Sequence, residues 1–582
     1  HLYVEWSVNE KVSLEVALAA SLSGVRAIAA MKQNGLNVAL DSLSNINLSG
    51  VNKGLVLVVC DDPGGISSTN EQDSRHVAKI LDLPLLEPAS FQEAKDMTTW
   101  AFDLSERISN VCILRSVTRI SHARGNVVLG NLPERKNRAY FDTSRAYATI
   151  SRGPLFHRGL HQNLKELAAI FEASPFNHYN GPENPELLLI TSGSGWLYAR
   201  ESVTKLSLEN TVGILKLGTT WPLPRALVSR HLLRTERVLI VEEIDAFLEG
   251  NVKELAAELQ QGRPWTFYGK ASGPFDPYGE LNPDIVVNAI TRILDIPYSL
   301  RDVAYQERCR EISQEFIPPR DLQFCAGCPH RATFWAIKDA LKLDHRACVV
   351  AGDIGCYSMA LLPTGFSQIK TIHAMGSGIG VASGLGKFGL FGFSQPVLTV
   401  CGDSTFFHAV IPGLVNAVHT QADLVLVVLD NSGTAMTGFQ PHPGIAQSAT
   451  GEQVTKVDIE ALCLALNVQV QVTDPYDMVG TTKKLLELLV QGGKPRVLIC
   501  RRECALIRAK TDESAYPVRV DPKKCIGEAC GCNRYCARVF RCPGLIWDAE
   551  IQRAKIDEAV CSGCGVCVHV CPQSAIIREA IQ

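Results

Sequence analysis

The apolar positions of this chain gather in short unbroken runs, separated by longer stretches with helical spacing. Residues 55–60, 187–190, 212–216, 238–241, 347–351, 397–401 and 424–429 are such runs, rich in Val, Ile and Leu. Strand-length runs without alternation are the pattern of strands buried on both faces of a parallel sheet. The strand–helix alternation occurs three times, over residues 1–150, 185–296 and from 321 onward, which predicts three parallel sheets with helices on both faces. The first residues already look like a strand, leading into a helical run at 12–20. Residues 151–184, rich in Pro, Asn and His, read as a linker, and Tyr516-Pro517 marks a hinge into a small cysteine-rich tail. The fold class is therefore α/β: three parallel-sheet domains at 1–155, 185–300 and 320–512, plus a small α+β module at 516–582.

Composition narrows the function classes. A chain of 582 residues exceeds one core. Its 46% hydrophobic and 20% charged content describe a globular protein. A net charge of −3 without a basic block speaks against nucleic acid or a membrane surface as partner. The longest apolar runs fall well short of the ~20 residues a spanning helix needs. No secretory pattern opens the chain, and twenty cysteines, many in cluster-type runs, suit a reducing cytoplasm better than a disulfide scaffold.

The strongest chemical signal is the tail. Cys561, Cys564, Cys567 and Cys571-Pro572 follow the C-x2-C-x2-C-x3-C-P spacing of bacterial ferredoxins, in which three thiolates bind one [4Fe–4S] cluster and the fourth binds a second. A zinc knuckle explains neither the fourth cysteine nor its proline. Upstream, Cys525, Cys530, Cys532, Cys536 and Cys542-Pro543 supply five thiols with irregular spacing. Cross-ligation assigns Cys542 to the cluster of Cys561, Cys564 and Cys567, and Cys571 to that of Cys525, Cys536 and either Cys530 or Cys532. Two clusters imply transfer of single electrons.

A second signal lies in the third α/β segment. Gly402-Asp403-Ser404 directly follows one predicted strand and Asp430-Asn431 the next, so Asp403 and Asn431 reach one sheet edge. A carboxylate, an amide oxygen and backbone carbonyls are a Mg2+ donor set for a diphosphate, although ordinary turn chemistry uses the same residues. The glycines at 376, 378 and 380 have the wrong spacing for a dinucleotide fingerprint.

The Gly402–Asn431 pattern resembles the diphosphate motif of thiamine diphosphate enzymes, with Ser404 where the motif has glycine. The resemblance widens through Cys325-Ala-Gly-Cys328-Pro-His330-Arg331, Gly352-Asp353-Ile354-Gly355-Cys356 and His373-Ala-Met-Gly376, then Glu5 to Lys11, Ser67 to Arg75 and the tail. Over nearly its whole length the chain resembles the large (alpha) subunits of indolepyruvate ferredoxin oxidoreductases, within the thiamine diphosphate-dependent 2-oxoacid:ferredoxin oxidoreductases. That resemblance implies two thiamine-binding domains (pyrimidine at 1–155, pyrophosphate at 320–512), a transketolase C-terminal-like domain at 185–300 and a ferredoxin-like tail. The family opens with a strand and a Gly-Thr-Pro-type loop ahead of Glu5-Trp6-Ser7; that segment is either removed or absent from this numbering, and its residues are unassigned here.

The resemblance further implies Glu10 as the carboxylate beside the aminopyrimidine and His373 as a second catalytic group, where a helix-start acid and a structural histidine are the plain alternatives. It implies Asp403, Asn431 and the Gly433 carbonyl as Mg2+ ligands, with Gly402, Ser404 and Thr434 at the diphosphate. Gly352, Asp353, Cys356 and Gly376 would line the cofactor. Asn70 would contact cofactor and Arg75 the substrate carboxylate, with a surface ion pair as the alternative for Arg75. Cys325, Cys328, Cys356 and Cys504 occupy contexts like the proximal-cluster ligands of pyruvate:ferredoxin oxidoreductase, leaving a third [4Fe–4S] cluster open.

The activity implied is oxidative decarboxylation of an aryl 2-oxoacid to an arylacetyl-CoA and CO2, with coenzyme A as co-substrate and ferredoxin as acceptor. A smaller beta subunit with a ferredoxin oxidoreductase gamma-type domain would complete a hetero-oligomer such as (alpha-beta)2. The alternatives are a related pyruvate or branched-chain oxidoreductase, or a non-oxidative thiamine diphosphate decarboxylase or synthase. The last has no use for the tail cysteines. Trp6, Phe406 and Phe407 are either aryl-selecting or core residues.

Overall fold

A computed structural model describes residues 2–131, 138–150, 153–259, 262, 264–299, 301–317, 321–509 and 518–579. The chain divides into two compact units, Asn9–Phe316, and Ile317–Gln582 together with His1–Val8.

The unit Asn9–Phe316 contains two five-stranded sheets. In the first, Ala27–Lys32, Leu55–Asp61, Cys112–Val117 and Leu85–Leu86 run parallel, and Thr219–Trp221 adds an antiparallel edge. In the second, Thr266–Tyr268, Arg237–Val241, Leu187–Thr191 and Val212–Lys216 run parallel, and His178–Asn180 closes the edge antiparallel. Every residue of Leu187–Thr191 and Val212–Lys216 is buried, as their unbroken apolar runs predict. An edge strand from beyond residue 185 therefore completes the first sheet, which crosses the boundary expected from the sequence.

Two expectations fail here. Residues 153–172 are no linker: Gly153–Glu172 is a helix burying Leu160, Leu167 and Phe171. Pro154 sits in its first turn, where a missing N–H costs nothing, and so starts the helix rather than breaking one. Nor do the opening residues form a strand. Residues 2–7 pair with nothing in a sheet, and Val8 packs on the core of its own unit, that of Ile317–Gln582.

The unit Ile317–Gln582 is built on a wholly parallel sheet in the order Val349–Ala351, Val397–Gly402, Val425–Asp430, Arg496–Arg501, Gln469–Thr473. Gly402 pairs with Leu429, so Asp403 and Asn431 leave adjacent strands at the same carboxyl edge. Two short antiparallel pairs, Val518–Val520 with Ile576–Arg578 and Leu545–Asp548 with Arg553–Ile556, frame the cysteine-rich tail. The expected hinge at Tyr516-Pro517 lies outside the described residues.

The loop after Leu55–Asp61 is tied down by buried charge. Arg115 donates to Asp61 (2.6 Å) and Glu87 (2.6 Å). Arg75, fully buried, donates to Asp73 (2.9 Å), to Glu242 (2.7 Å) and to the carbonyls of Glu243 and Asp245. Removing one partner of such a pair strands a buried charge. Arg75→Met should destabilise the Asn9–Phe316 unit by ~3–5 kcal/mol. Chemical denaturation followed by circular dichroism checks this, and an unchanged midpoint would refute it.

Candidate functional site

Three oxygen atoms meet at the carboxyl edge of the Ile317–Gln582 sheet. The Asn431 amide oxygen faces the Gly433 carbonyl oxygen and Asp403 Oδ1, each 3.2 Å away. With no proton among them, this arrangement holds only if the amide turns to donate to both neighbours or a cation lies between the oxygens. The donor set is all oxygen and includes one carboxylate, which fits Mg2+. Asp403 is oriented from behind: its Oδ2 accepts from the Asn431 and Gly433 amides (3.1 and 3.3 Å) and its Oδ1 from Ser404 N–H (2.9 Å).

His442 also touches this carboxylate, and sequence reasoning missed it. Its Nε2 is 3.2 Å from Asp403 Oδ2 without hydrogen-bond geometry, and its Nδ1 accepts from Gly444 N–H (3.1 Å), which leaves Nε2 to carry the proton of the neutral ring. No motif marks His442, which reaches Asp403 only through the fold of the following loop.

The helix that begins at Asp403 passes through a wider π-turn, Phe406–Val410, and continues to His419. That widening presses Ala409 against Gly376, where a Cβ would come within 2.5 Å of the Ala409 Cβ and φ is +77°. Asp353 holds this turn. It is fully buried, its Oδ1 accepts from the Gly376 and Ile354 amides (both 2.7 Å), and its Oδ2 accepts from Tyr357 OH (2.8 Å). Burial raises its pKa, and these hydrogen bonds oppose the rise. Asp353 thus fixes the Gly376 turn with both its carboxylate oxygens engaged, and Gly352 packs against Ile369 and Ile372. Gly402 backs on the Tyr357 ring. Thr434 is half-buried and His373 is exposed. Phe406 and Phe407 belong to the core, whereas Trp6 is exposed.

In the Asn9–Phe316 unit, Glu10 opens the helix Glu10–Leu22, capped by Asn9, whose side chain accepts from Val12 N–H (2.9 Å). Glu10 is half-buried, and its Cγ lies only 2.5 Å from where a Cβ on Gly35 would be. Gly35 therefore makes the room in which this carboxylate sits. Asn70 is exposed and accepts from Asn34 (2.6 Å). Arg75 corrects the sequence reading: every face of its guanidinium is occupied inside the protein, so it is neither a substrate clamp nor a surface ion pair.

The tail cysteines form two sets. Cys542, Cys561, Cys564 and Cys567 line one cavity. Cys525, Cys530, Cys532, Cys536 and Cys571 line another. Thiols converging on a cavity, with Cys542 and Cys571 exchanged between the two runs, fit two [4Fe–4S] clusters. Burial raises the Cys532 pKa, but hydrogen bonds from the Cys530 thiol and from the Tyr535 and Arg534 amides outweigh it and bring the value down. Outside the tail, the Cys356 thiol is pushed up to about 11 by burial and by the neighbouring Cys325 and Cys504. Cys328 adjoins Cys325 and also lines the first cavity. The Cys504 amide donates to the Asn431 carbonyl (3.0 Å), which ties this group to the sheet edge.

Residues 353–500 match the thiamine pyrophosphate enzyme C-terminal TPP binding domain, and residues 554–577 the 4Fe-4S binding domain. The chain is 38% identical to indolepyruvate oxidoreductase subunit IorA of Pyrococcus horikoshii, over 99% of this chain and 90% of that protein. The chain belongs to the indolepyruvate oxidoreductase subunit IorA family. It is 37% identical to the IorA of Methanothermobacter thermautotrophicus, with the same coverage of 99% and 90%. A solved 2-oxoglutarate:ferredoxin oxidoreductase from Magnetococcus marinus is similar at a TM-score of 0.37 and 15% identity, covering 49% of this chain and 56% of that one.

The contact on Asp403 gives a test within this IorA-family chain. His442→Ala should weaken Mg2+-dependent thiamine diphosphate binding by ~10–100-fold, the usual cost of losing a residue that orients a metal ligand. Isothermal titration measures it, and an unchanged affinity would remove His442 from the site.

Proposed function

We propose that this chain is the large catalytic subunit of an indolepyruvate:ferredoxin oxidoreductase, forming arylacetyl-CoA and CO2 from an aryl 2-oxoacid and coenzyme A. The observation that carries the reading is that one compact unit holds both the Asp403–Asn431–Gly433 oxygen set and two cysteine-lined cavities. A decarboxylase without an electron outlet has no use for the second feature. The names of its relatives support the same assignment.

When bound, thiamine diphosphate supplies the carbanion chemistry for cleaving the 2-oxoacid and the clusters supply one-electron acceptors. Asp403, Asn431 and the Gly433 carbonyl hold Mg2+ against the diphosphate, with Gly402, Ser404 and Thr434 beside it. Glu10 holds the proton at the aminopyrimidine ring. Cys356, Gly352, Asp353 and Gly376 border the cofactor, and exposed His373 and Asn70 remain available to substrate or cofactor.

Cys542, Cys561, Cys564 and Cys567 bind one cluster. Cys525, Cys536, Cys571 and either Cys530 or Cys532 bind the other, since both of these line its cavity. Cys325, Cys328, Cys356 and Cys504 hold a third, a reading supported by the proximity of Cys325 and Cys504 to Cys356. The division into a pyrimidine domain, a transketolase C-terminal-like domain, a pyrophosphate domain and a ferredoxin-like tail follows. A smaller beta subunit completes an (alpha-beta)2 assembly, ferredoxin accepts the electrons, and the enzyme is cytoplasmic. No helix among the described residues is long and apolar enough to cross a membrane.

Reduction of a viologen dye by indolepyruvate and coenzyme A tests the activity. Glu10→Gln and Asp403→Ala should each lower the rate by at least ~100-fold. Rates equal to the parent's would place catalysis elsewhere. Iron analysis of the same protein should give about twelve Fe per chain, and about eight would remove the third cluster.

A further inference from the structure

Arg331 is a buried cation without an anion. It lies near the start of the helix Pro329–Asp344 and is 2% exposed. Nη1 donates to the Phe540 carbonyl (2.6 Å) and Nη2 to the Phe324 carbonyl, while Nε has no hydrogen-bond partner. The Phe324 and Phe540 rings each lie 5.6 Å from the guanidinium carbon. No carboxylate pairs with it among the described residues, unlike Arg75 and Arg115. A desolvated charge left in this state is strongly unfavourable.

What faces it is sulfur. Arg331 lines the first cavity together with Cys328, Cys542, Cys561, Cys564 and Cys567. The sulfurs of Cys542, Cys328, Cys325 and Cys564, from two different cysteine groups, lie close enough to act on its charge. Carbonyl dipoles and aromatic faces compensate the cation only in part, so the site is built for an anion not made of carboxylate. A thiolate-bound [4Fe–4S] cluster is such an anion, and each electron it accepts adds one negative charge.

We propose that Arg331 is the fixed counter-ion of the Cys542–Cys561–Cys564–Cys567 cluster, on the side facing Cys325 and Cys328, and that its charge raises that cluster's reduction potential. This deepens the proposed function and rests on the reading of the tail cysteines as cluster ligands. Arg331 acts as a positioning charge. A nearby cation stabilises the reduced, more negative state and so eases electron transfer from the cofactor edge into the tail.

Potentiometric titration of the anaerobically purified complex, followed by EPR and paired with iron and sulfide analysis, tests this. Arg331→Gln keeps a side-chain N–H donor and removes the charge; Arg331→Lys keeps the charge. In Arg331→Gln one [4Fe–4S] component should become about tenfold harder to reduce, a fall of ~59 mV for one electron, with the other component unmoved. Arg331→Lys should stay close to the parent. Loss of iron from Arg331→Gln with retention in Arg331→Lys also supports the charge role. An unshifted potential in Arg331→Gln, equal shifts in both variants, or loss of iron from both would overturn it. Absence of iron from the parent itself would instead refute the cluster reading on which it depends.

Discussion

Oxygen atoms do not gather around a shared centre unless a proton or a cation holds them there. At the end of two adjacent parallel strands, Asp403, Asn431 and the Gly433 carbonyl meet at 3.2 Å, held either by a cation between the oxygens or by the turned Asn431 amide donating to both neighbours. Much of the Ile317–Gln582 unit serves that convergence. The pairing of Gly402 with Leu429 sets Asp403 and Asn431 at one level of the sheet. The Asn431 and Gly433 amides fix the Asp403 carboxylate from behind, and His442 buttresses its second oxygen. Asp353 and Tyr357 use their polar atoms to keep the neighbouring Gly376 turn in place.

A second constraint is the handling of charge away from water. In the Asn9–Phe316 unit, Arg75 and Arg115 are matched by Asp61, Asp73, Glu87 and Glu242, so the network ties the loop after Leu55–Asp61 to the rest of its unit. In the other unit, Arg331 has carbonyls, aromatic rings and thiols for company. The same residue type is thus a structural tie in one place and an electrostatic device in the other. The difference lies wholly in its partners.

The cysteines illustrate how far spacing carries. The C-x2-C-x2-C-x3-C-P run implied two clusters and the exchange of Cys542 and Cys571 between the runs, and the two cavities are lined in that way. Spacing could not choose between Cys530 and Cys532, and both line the second cavity. It also had no means of finding Arg331.

Strand positions, the carboxyl-edge location of Asp403 and Asn431 and the ferredoxin-like run were all determined by the sequence alone, because each is written in residue type and spacing over a few positions. The helix Gly153–Glu172 is masked in the sequence by neighbouring Pro, Asn and His, while its apolar stripe of Leu160, Leu167 and Phe171 is buried in the fold. Tertiary structure alone decided that Arg75 is enclosed, that Gly35 makes room for Glu10, that His442 leans on Asp403 and that Arg331 faces thiols. Each of these depends on burial or on a partner from another element, and a local pattern holds no record of the dielectric or the neighbours that a side chain meets after folding.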